Sequence, residues 1–428
     1  MAGILIFLSF ALTIVAYFFN DNLLVIAGAL AWLAFILLYK TLTNKKMINS
    51  LLLLSLAALT FSYIKEFSID LTKLISVNQY LLTLLIAVGF LRLVAIPKLE
   101  NTSEDKNSNL PLGKSSFLKT YFGVHLFGSV INMSSLVIVA DKMYKKAPLS
   151  KAQVITLTRA FSSDAYWSPF FVAFAAAVVY APNLNTPLVI INGLVLALIG
   201  FVITFIELNL RKDIDLNKFR GYPISFDTIY IPVILAALVL VTNSIYKDIK
   251  IIVLISLYSV LLTLIVLVIK NKFLEAIETF AKHIFIELPK MKSELSLFIV
   301  AGMFGVSVSS ILIGYDFSLP FEVFDYKVAS ILLLGFILLS FIGIHPIITI
   351  AVIGDYFAQF DHTLLAVTFL MAWSTTVSTS PFSGLNLTIV ARYKYNGFDI
   401  FKSNILYASL MYLVCSAILM LLYYNFIL

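Results

Sequence analysis

Phe127-Gly128-Ser129-Val130-Ile131-Asn132-Met133-Ser134-Ser135 sits at the centre of an apolar stretch running from Phe117 to Ala140. Such a stretch either crosses a membrane or doubles back inside one, and every later loop changes side with the choice. Glycine and small polar side chains gather here. A chain that turns at mid-membrane depth leaves backbone N–H and C=O groups without helical partners, which is tolerable only against protein or a water-filled cavity. After the stretch come Lys142, Lys145, Lys146 and Lys151. Cytoplasmic loops are enriched in Lys and Arg. With a cytoplasmic N-terminus, Asn20-Asp21-Asn22 lies outside, while Lys40, Lys45, Lys46 and the polar segment Lys98 to Ser116 lie inside. A crossing at 117–140 would turn the four following lysines outward. Arg211, Lys212, Lys218 and Arg220 would go with them, as would Lys270, Lys272, Lys282, Lys290 and Lys292. A re-entrant hairpin over 117–141 keeps them all in the cytoplasm and is the expectation; an ordinary kinked helix is the alternative.

The same test applies to Val328 to Ile353, which contains Phe341-Ile342-Gly343-Ile344-His345-Pro346. Gly supplies positive φ, and Pro removes a donor and stops a helix. The flanks are acidic: Asp316, Glu322 and Asp325 before, Asp355 and Asp361 after, with Lys327 against. A hairpin over 328–355 entering from outside leaves Arg392, Lys394 and Lys402 cytoplasmic. One hairpin from each face is the layout of an inverted repeat.

Composition sets the frame. Of 428 residues, 61% are hydrophobic and 12% charged, about half the charge of ordinary soluble domains. The expected fold is therefore an all-α polytopic membrane protein. Crossing a hydrocarbon core takes roughly 17–25 apolar residues. The candidates are 3–19, 23–38, 47–64, 79–96, 153–181, 187–208, 228–245, 251–269, 294–314, 363–390 and 403–426, about eleven crossings. Residues 1–22 hold an extra first helix, read as retained rather than as a cleaved signal. The first repeat spans 23–208, with a broken helix at 153–181. A cytoplasmic linker covers 209–227. The second repeat spans 228–428, with an amphipathic helix at 271–292 and a broken helix at 363–390. The net charge of +7 is accounted for by inner loops, so no nucleic-acid partner is implied. The single cysteine, Cys415, allows no disulfide framework. The sequon Asn101-Thr102-Ser103 falls in a loop expected to be cytoplasmic, where it is idle.

Two signatures recur. Ile131-Asn132 precedes Ser168-Pro169-Phe170, and Ile344-His345 precedes Ser380-Pro381-Phe382; Asn132 to Ser168 is 36 positions and His345 to Ser380 is 35. Asp141 and Asp355 close the first elements. Paired helix breaks in corresponding places of two halves point to the substrate site of a secondary transporter. Freed carbonyls and hydroxyls suit Na⁺, and half-helix N-termini suit an anion. The candidate binding residues are Asn132, Ser134, Ser135, Ser168, His345, Ser378, Thr379, Ser380 and Asn386, with Ser134, Ser135, Ser380 and Asn386 as candidate Na⁺ ligands. Arg159 and Asp164 are ionisable groups on a membrane helix, where charges cost several kcal/mol unless paired or wetted. Arg159 either binds an anion or snorkels to the cytoplasmic surface. Asp164 either pairs with Arg159, carries a proton or binds a cation. His125, on the entry arm, is read as a packed histidine. No catalytic motif is present.

The order hairpin, broken helix, last helix, repeated in opposite orientations, resembles the ion transporter superfamily, which includes divalent anion/sodium symporters and citrate and arsenite transporters. The local likeness lies in Ser380-Pro381-Phe382-Ser383-Gly384-Leu385-Asn386 and in Phe298 to Ser307. In the symporters each hairpin tip carries Ser-Asn-Thr; here the tips hold Asn132-Met133-Ser134 and His345-Pro346. The resemblance implies a homodimer with elevator-type alternating access. The expected function is secondary active transport of a small polar, anionic solute across a bacterial inner membrane, coupled to Na⁺ or H⁺. The N-terminus would be cytoplasmic and the C-terminus outside, and no cofactor beyond Na⁺ is expected. The rivals are a cation or Na⁺/H⁺ antiporter on the same fold, and a membrane-embedded glycan or lipid transferase.

Overall fold

The computed structural model describes residues 1–43, 45–95, 110–222 and 230–427. The loop 97–109 with its sequon, the linker residues 223–227 and the start of the 228–245 span lie outside the described residues. The first half contains α1 (Ala2–Phe19), α2 (Leu23–Leu38), α3 (Lys45–Ile64), α4 (Leu71–Ser76) and α5 (Gln79–Ala95). It continues with α6 (Lys114–Ile131), α7 (Met133–Lys146), α8 (Lys151–Ser162), α9 (Val172–Tyr180) and α10 (Thr186–Leu210). The second contains α11 (Tyr230–Ile245), α12 (Ile251–Lys270), α13 (Phe273–Lys282) and α14 (Lys292–Gly314). It ends with α15 (Tyr326–Phe341), α16 (Pro346–Phe357), α17 (His362–Thr379), α18 (Gly384–Tyr393) and α19 (Gly397–Leu422). No strand occurs among the described residues.

Eight helical stretches among the described residues are long and apolar enough to cross a membrane: 2–19, 23–41, 45–64, 71–95, 186–210, 251–270, 273–314 and 397–427. This is the composition of a multi-pass helical membrane protein. The remaining expected crossings are the two interrupted helices and the span that becomes α11. Local chemistry sets the helix starts. Ser150 and Gln153 form a capping box at α8. Asn185, Asp325, Asp361 and Ser383 accept backbone N–H bonds at α10, α15, α17 and α18. Helix α4 was not anticipated; Asp70 caps it by accepting the Lys73 N–H at 2.9 Å. The amphipathic segment is helical in three registers: α13, a π turn over His283–Glu287 and a 3₁₀ turn over Leu288–Met291.

The two halves interlock. Helix α5 packs on α12, and α3 packs on α14. Each is thus a second-or-third-helix contact with the opposite half. Only one stripe of α3 is buried: Ile48, Leu51, Ser55, Ala58 and Ser62, the three-four spacing of one helical face. Helix α17 is buried from Thr363 to Thr379, whereas α10 and α19 keep many large apolar side chains exposed, such as Ile191, Leu198, Leu406 and Leu413. The broken helices therefore form the interior, and lipid-type surface lies around them.

The two flanks of each short helix pair lie close together. Leu112, before α6, bridges Arg220 in an antiparallel backbone contact, with Gly113 N–H donating to the Phe219 carbonyl at 2.9 Å. Lys142, near the end of α7, lies 5.1 Å over the Tyr222 ring. The start of α6 and the end of α7 are thus neighbours of one loop. At the other pair, Phe321 and Phe324 before α15 pack on Phe357, which ends α16, and on Phe360 beyond it, with ring centres 5.4 to 5.8 Å apart.

Candidate functional site

The two Ser-Pro-Phe breaks are built alike, atom for atom. Pro169 and Pro381 have no N–H to give, so the next amide must find an acceptor. Ser168 Oγ accepts the Phe170 N–H (3.2 Å) and Ser380 Oγ accepts the Phe382 N–H (3.3 Å). Each hydroxyl then donates across to the neighbouring hairpin arm: Ser168 to the Ser129 carbonyl (2.5 Å) and Ser380 to the Ser340 carbonyl (2.6 Å). Ser129 and Ser340 in turn donate to the carbonyls three residues earlier, of Leu126 and Ile337 (2.8 and 2.7 Å). One serine strut joins broken helix to hairpin turn in each half.

These struts give a different correspondence between the two turns from the one that sequence intervals suggest. Three residues after Ser129 comes Asn132, with φ +52°; three after Ser340 comes Gly343, with φ +98°. Asn132 therefore corresponds to Gly343, and His345 lies two positions further on. In the first turn Asn132 both ends α6 and starts α7. In the second, Gly343 supplies the left-handed residue and His345 the cap, its Nδ1 accepting the Ile347 N–H at 3.2 Å. The pairing of Asn132 with His345 by interval fails because the second turn is two residues longer. Asn132, with ψ −141°, is in a region that is essentially glycine-only and costs on the order of 1–3 kcal/mol.

At the second break, amides occupy the freed carbonyls. Asn386 Nδ2 donates to the carbonyls of Ser380 (2.9 Å), Ser378 (3.2 Å) and Val377 (3.4 Å). Asn404, on α19, donates to the Ser378 carbonyl at 2.9 Å. Ser378 Oγ donates back to the Thr375 carbonyl at 3.2 Å and lies 3.3 Å from Thr379 Oγ1. Asn386 Oδ1 is buried without a donor, so one acceptor stays open. A small, partly open cleft runs between the second turn and this break, bordered by Gly343, His345, Thr376, Ser380 and Ser383. The His345 ring stands edge-on to Trp373, 5.1 Å between centres.

Of the four candidate Na⁺ ligands, Ser135 donates to the Asn132 carbonyl at 3.1 Å and Ser380 to that of Ser340, which leaves both as backbone struts in this conformation. Ser134 is half-buried on α7. Ser134 and Ser135 lie on α7, and Ser380 and Asn386 at the second break; Ser135 bonds within the first pair of helices, while Ser380 and Asn386 bond around the second break and to α15.

Arg159 and Asp164 part company. Arg159 is fully buried rather than snorkelling. Its Nε donates to Asn404 Oδ1 (2.8 Å), one terminal nitrogen to Glu207 (2.6 Å) and the other to the Ser403 carbonyl (3.0 Å). The Tyr407 ring lies 4.3 Å from the guanidinium. Arg211 holds the second Glu207 oxygen. Through Asn404 this network reaches the Ser378 carbonyl, so α8, α10, α19 and the second break share one buried polar link. Asp164 is also fully buried, and it meets His125 rather than Arg159: Oδ1 is 2.7 Å from Nδ1. Neither carboxylate oxygen receives a hydrogen bond of good geometry. The Trp167 indole N–H donates to His125 Nε2 at 3.2 Å.

The two aspartates that close the hairpins each hold a base. Arg392 grips Asp141 with two nitrogens (2.7 and 2.5 Å), and the Tyr393 hydroxyl joins at 2.9 Å. Lys73, on α4, meets Asp355 at 2.6 Å. Glu207, Asn404, Ser129 and Ser340 were not singled out from sequence. An acid inside the apolar stretch 187–208 was the available signal for the first; nothing local marked the others. Compared with known proteins, the chain matches no family model and no curated protein.

Proposed function

We propose that this chain is a secondary active transporter of the ion transporter superfamily type, built as an inverted repeat with two re-entrant hairpins. The observation that carries the reading is the doubled serine strut, which ties each hairpin turn to a helix break beside it. Paired breaks of this kind are where transporters hold solute and coupling ion.

Side-of-membrane parity supports the hairpins. Suppose that the α8–α9 and α17–α18 units and α1, α2, α3, α5, α10, α11, α12, α14 and α19 cross. If α6–α7 also crossed, Leu112 and Arg220 would lie on opposite faces, yet they pair. If only α15–α16 crossed, Lys73 and Asp355 would be separated, yet they touch at 2.6 Å. If both crossed, Asp141 and Arg392 would be separated, yet they form a two-pronged pair. Two non-crossing hairpins satisfy all three contacts, which supports that arrangement. In this arrangement Arg392 and Asp141 are cytoplasmic and Lys73 and Asp355 external, with the N-terminus inside and the C-terminus outside.

The solute is a small anion held near Asn132, His345 and the cleft at the second break, and the ion is Na⁺ or H⁺. The protein acts as a homodimer in a bacterial inner membrane with elevator-type access. Thermal unfolding of the purified chain against organic anions and oxyanions, with Na⁺ or K⁺, identifies the solute, because ligands of the native state raise its midpoint. Proteoliposome uptake of the selected anion is expected to follow an ion gradient; uptake indifferent to every gradient would remove the coupling. Asp164 favours a second reading, a cation antiporter, since its carboxylate is the one deep acid beside a break. Retained transport in Asp164→Asn would count against it.

A further inference from the structure

We infer that Asp164 and His125 form a one-proton binding site at the first helix break, so that the ion exchanged there is H⁺ rather than Na⁺. The inference deepens the transport reading and rests on it for the word exchanged; proton binding itself stands on the geometry alone.

Asp164 has no exposed surface, and neither of its oxygens receives a well-formed hydrogen bond. An ionised carboxylate in such a place costs several kcal/mol. Its one titratable contact is His125, with Nδ1 2.7 Å from Oδ1. The indole of Trp167 can only donate, and it donates to His125 Nε2. That nitrogen therefore carries no proton, and the imidazole hydrogen sits on Nδ1, which faces Asp164 (2.7 Å), the Ser163 hydroxyl (3.0 Å) and the Ala160 carbonyl (3.2 Å); Ser163 itself donates to that carbonyl. A proton-bearing nitrogen aimed at the carboxylate stands where a metal cation would have to sit, and it repels one. A proton needs no such room. Placed on Asp164, it makes the pair neutral and matches the dry surroundings.

The charges that face the pair are accounted for. On α6, Tyr121 and His125 face it. On α8, Arg159 is held by Glu207 of α10. Helix α17 carries no charged group beyond His362 at its start, α9 has only Tyr180 at its end, and the acid and lysines of α7 lie at its far end. Among the described residues, no cation is left to neutralise Asp164 except His125 itself.

The site also touches the hairpin. A Cβ on Gly128 would collide with the Asp164 carboxylate, and the Gly128 carbonyl accepts the Asn132 N–H at 3.0 Å. Loss of the proton leaves a bare charge pressed on the arm that ends in Asn132.

Trp167 reports the state, because its indole is bonded to His125 Nε2 and so senses the charge on Asp164 beside that ring appear and vanish. The test is the pH dependence of emission of the purified full chain, taking the component that Trp167→Phe removes. That component is expected to titrate as a single step, to be insensitive to Na⁺ at fixed pH, and to lose its step in Asp164→Asn and His125→Gln. Asn mimics the protonated acid, so D164N is expected to fold; if it does not, H125Q reads the same step. A flat response in the unmodified chain, a step that survives both variants, or a response to Na⁺ at constant pH would overturn the inference. A missing step leaves transport standing with Na⁺ as its ion. A normal step combined with no gradient-driven uptake of any anion would retain the proton site and overturn its exchange.

Discussion

The first and second helix breaks share a skeleton and differ in what surrounds it. Both have the serine that catches the amide after proline and reaches a hairpin carbonyl. Around the first lie an acid, an imidazole and an indole, closely packed. Around the second lie two asparagines, hydroxyls and a cleft. Polar networks inside a membrane persist where they are satisfied or functional. The common part is the satisfied one; the open valences, Asp164 at one break and Asn386 Oδ1 at the other, are where the halves have diverged. On the transport reading proposed above, the two breaks keep one mechanical joint and give ion and solute to different copies.

The strongest way to break this comparison is to cut what joins the breaks. Arg159→Met leaves Glu207 buried against Arg211 alone and frees Asn404. Breaking a buried pair costs about 3–5 kcal/mol, so a large fall in the thermal midpoint in detergent is expected; an unchanged midpoint would show that the network carries no load. Gly128→Ala comes next. The added methyl meets Asp164, with Ser135 Oγ 3.1 Å and Phe161 3.2 Å away, and overpacking costs about 1–3 kcal/mol. Gly335→Ala on α15 meets nothing within 4 Å and should gain about 0.5–1 kcal/mol from helix propensity. If both alanines behave alike, the crowding at the first break is not real.

Ser168→Ala and Ser380→Ala test the shared joint. Interhelical hydrogen bonds in membranes are worth roughly 0.6 kcal/mol on average, and about 1.7 at most. The two losses should be similar and, in the double variant, additive within about 0.5 kcal/mol; a clear inequality in unfolding midpoints would mean that the joints are not equivalent. The smallest effect is at the turns. Asn132→Gly relieves a conformation that only glycine adopts easily, for a net gain below about 1 kcal/mol, whereas Gly343→Asn should lose about as much. Stabilities that move in the same direction would overturn the Asn132–Gly343 correspondence.

Much of the plan was legible in the chain. Apolar length marks the helices, lysine placement argues for the hairpins, and proline after serine marks the breaks. The pairing of Asn132 with His345 went astray because intervals count residues, while the turns differ in how many they use; the serines that anchor the arms were the better landmark. Arg159 was readable as a charge but not as a link, since Glu207 is 48 positions away and Asn404 is 245. The freed carbonyls at the second break looked available for an ion because nothing local shows that Asn386 and Asn404 turn their amides on them. His125 looked like packing, because its contact with Asp164 exists only once α6 lies on α8 and the turn after it.

Helix α3 has its seam, Ile48 to Ser62, against α14. During synthesis that seam is made long before its cover. The nascent first half must wait in the bilayer with a groove filled by lipid or a chaperone until α14 arrives. A chain truncated ahead of α14 would therefore leave an orphaned fragment prone to degradation, not half of a working protein.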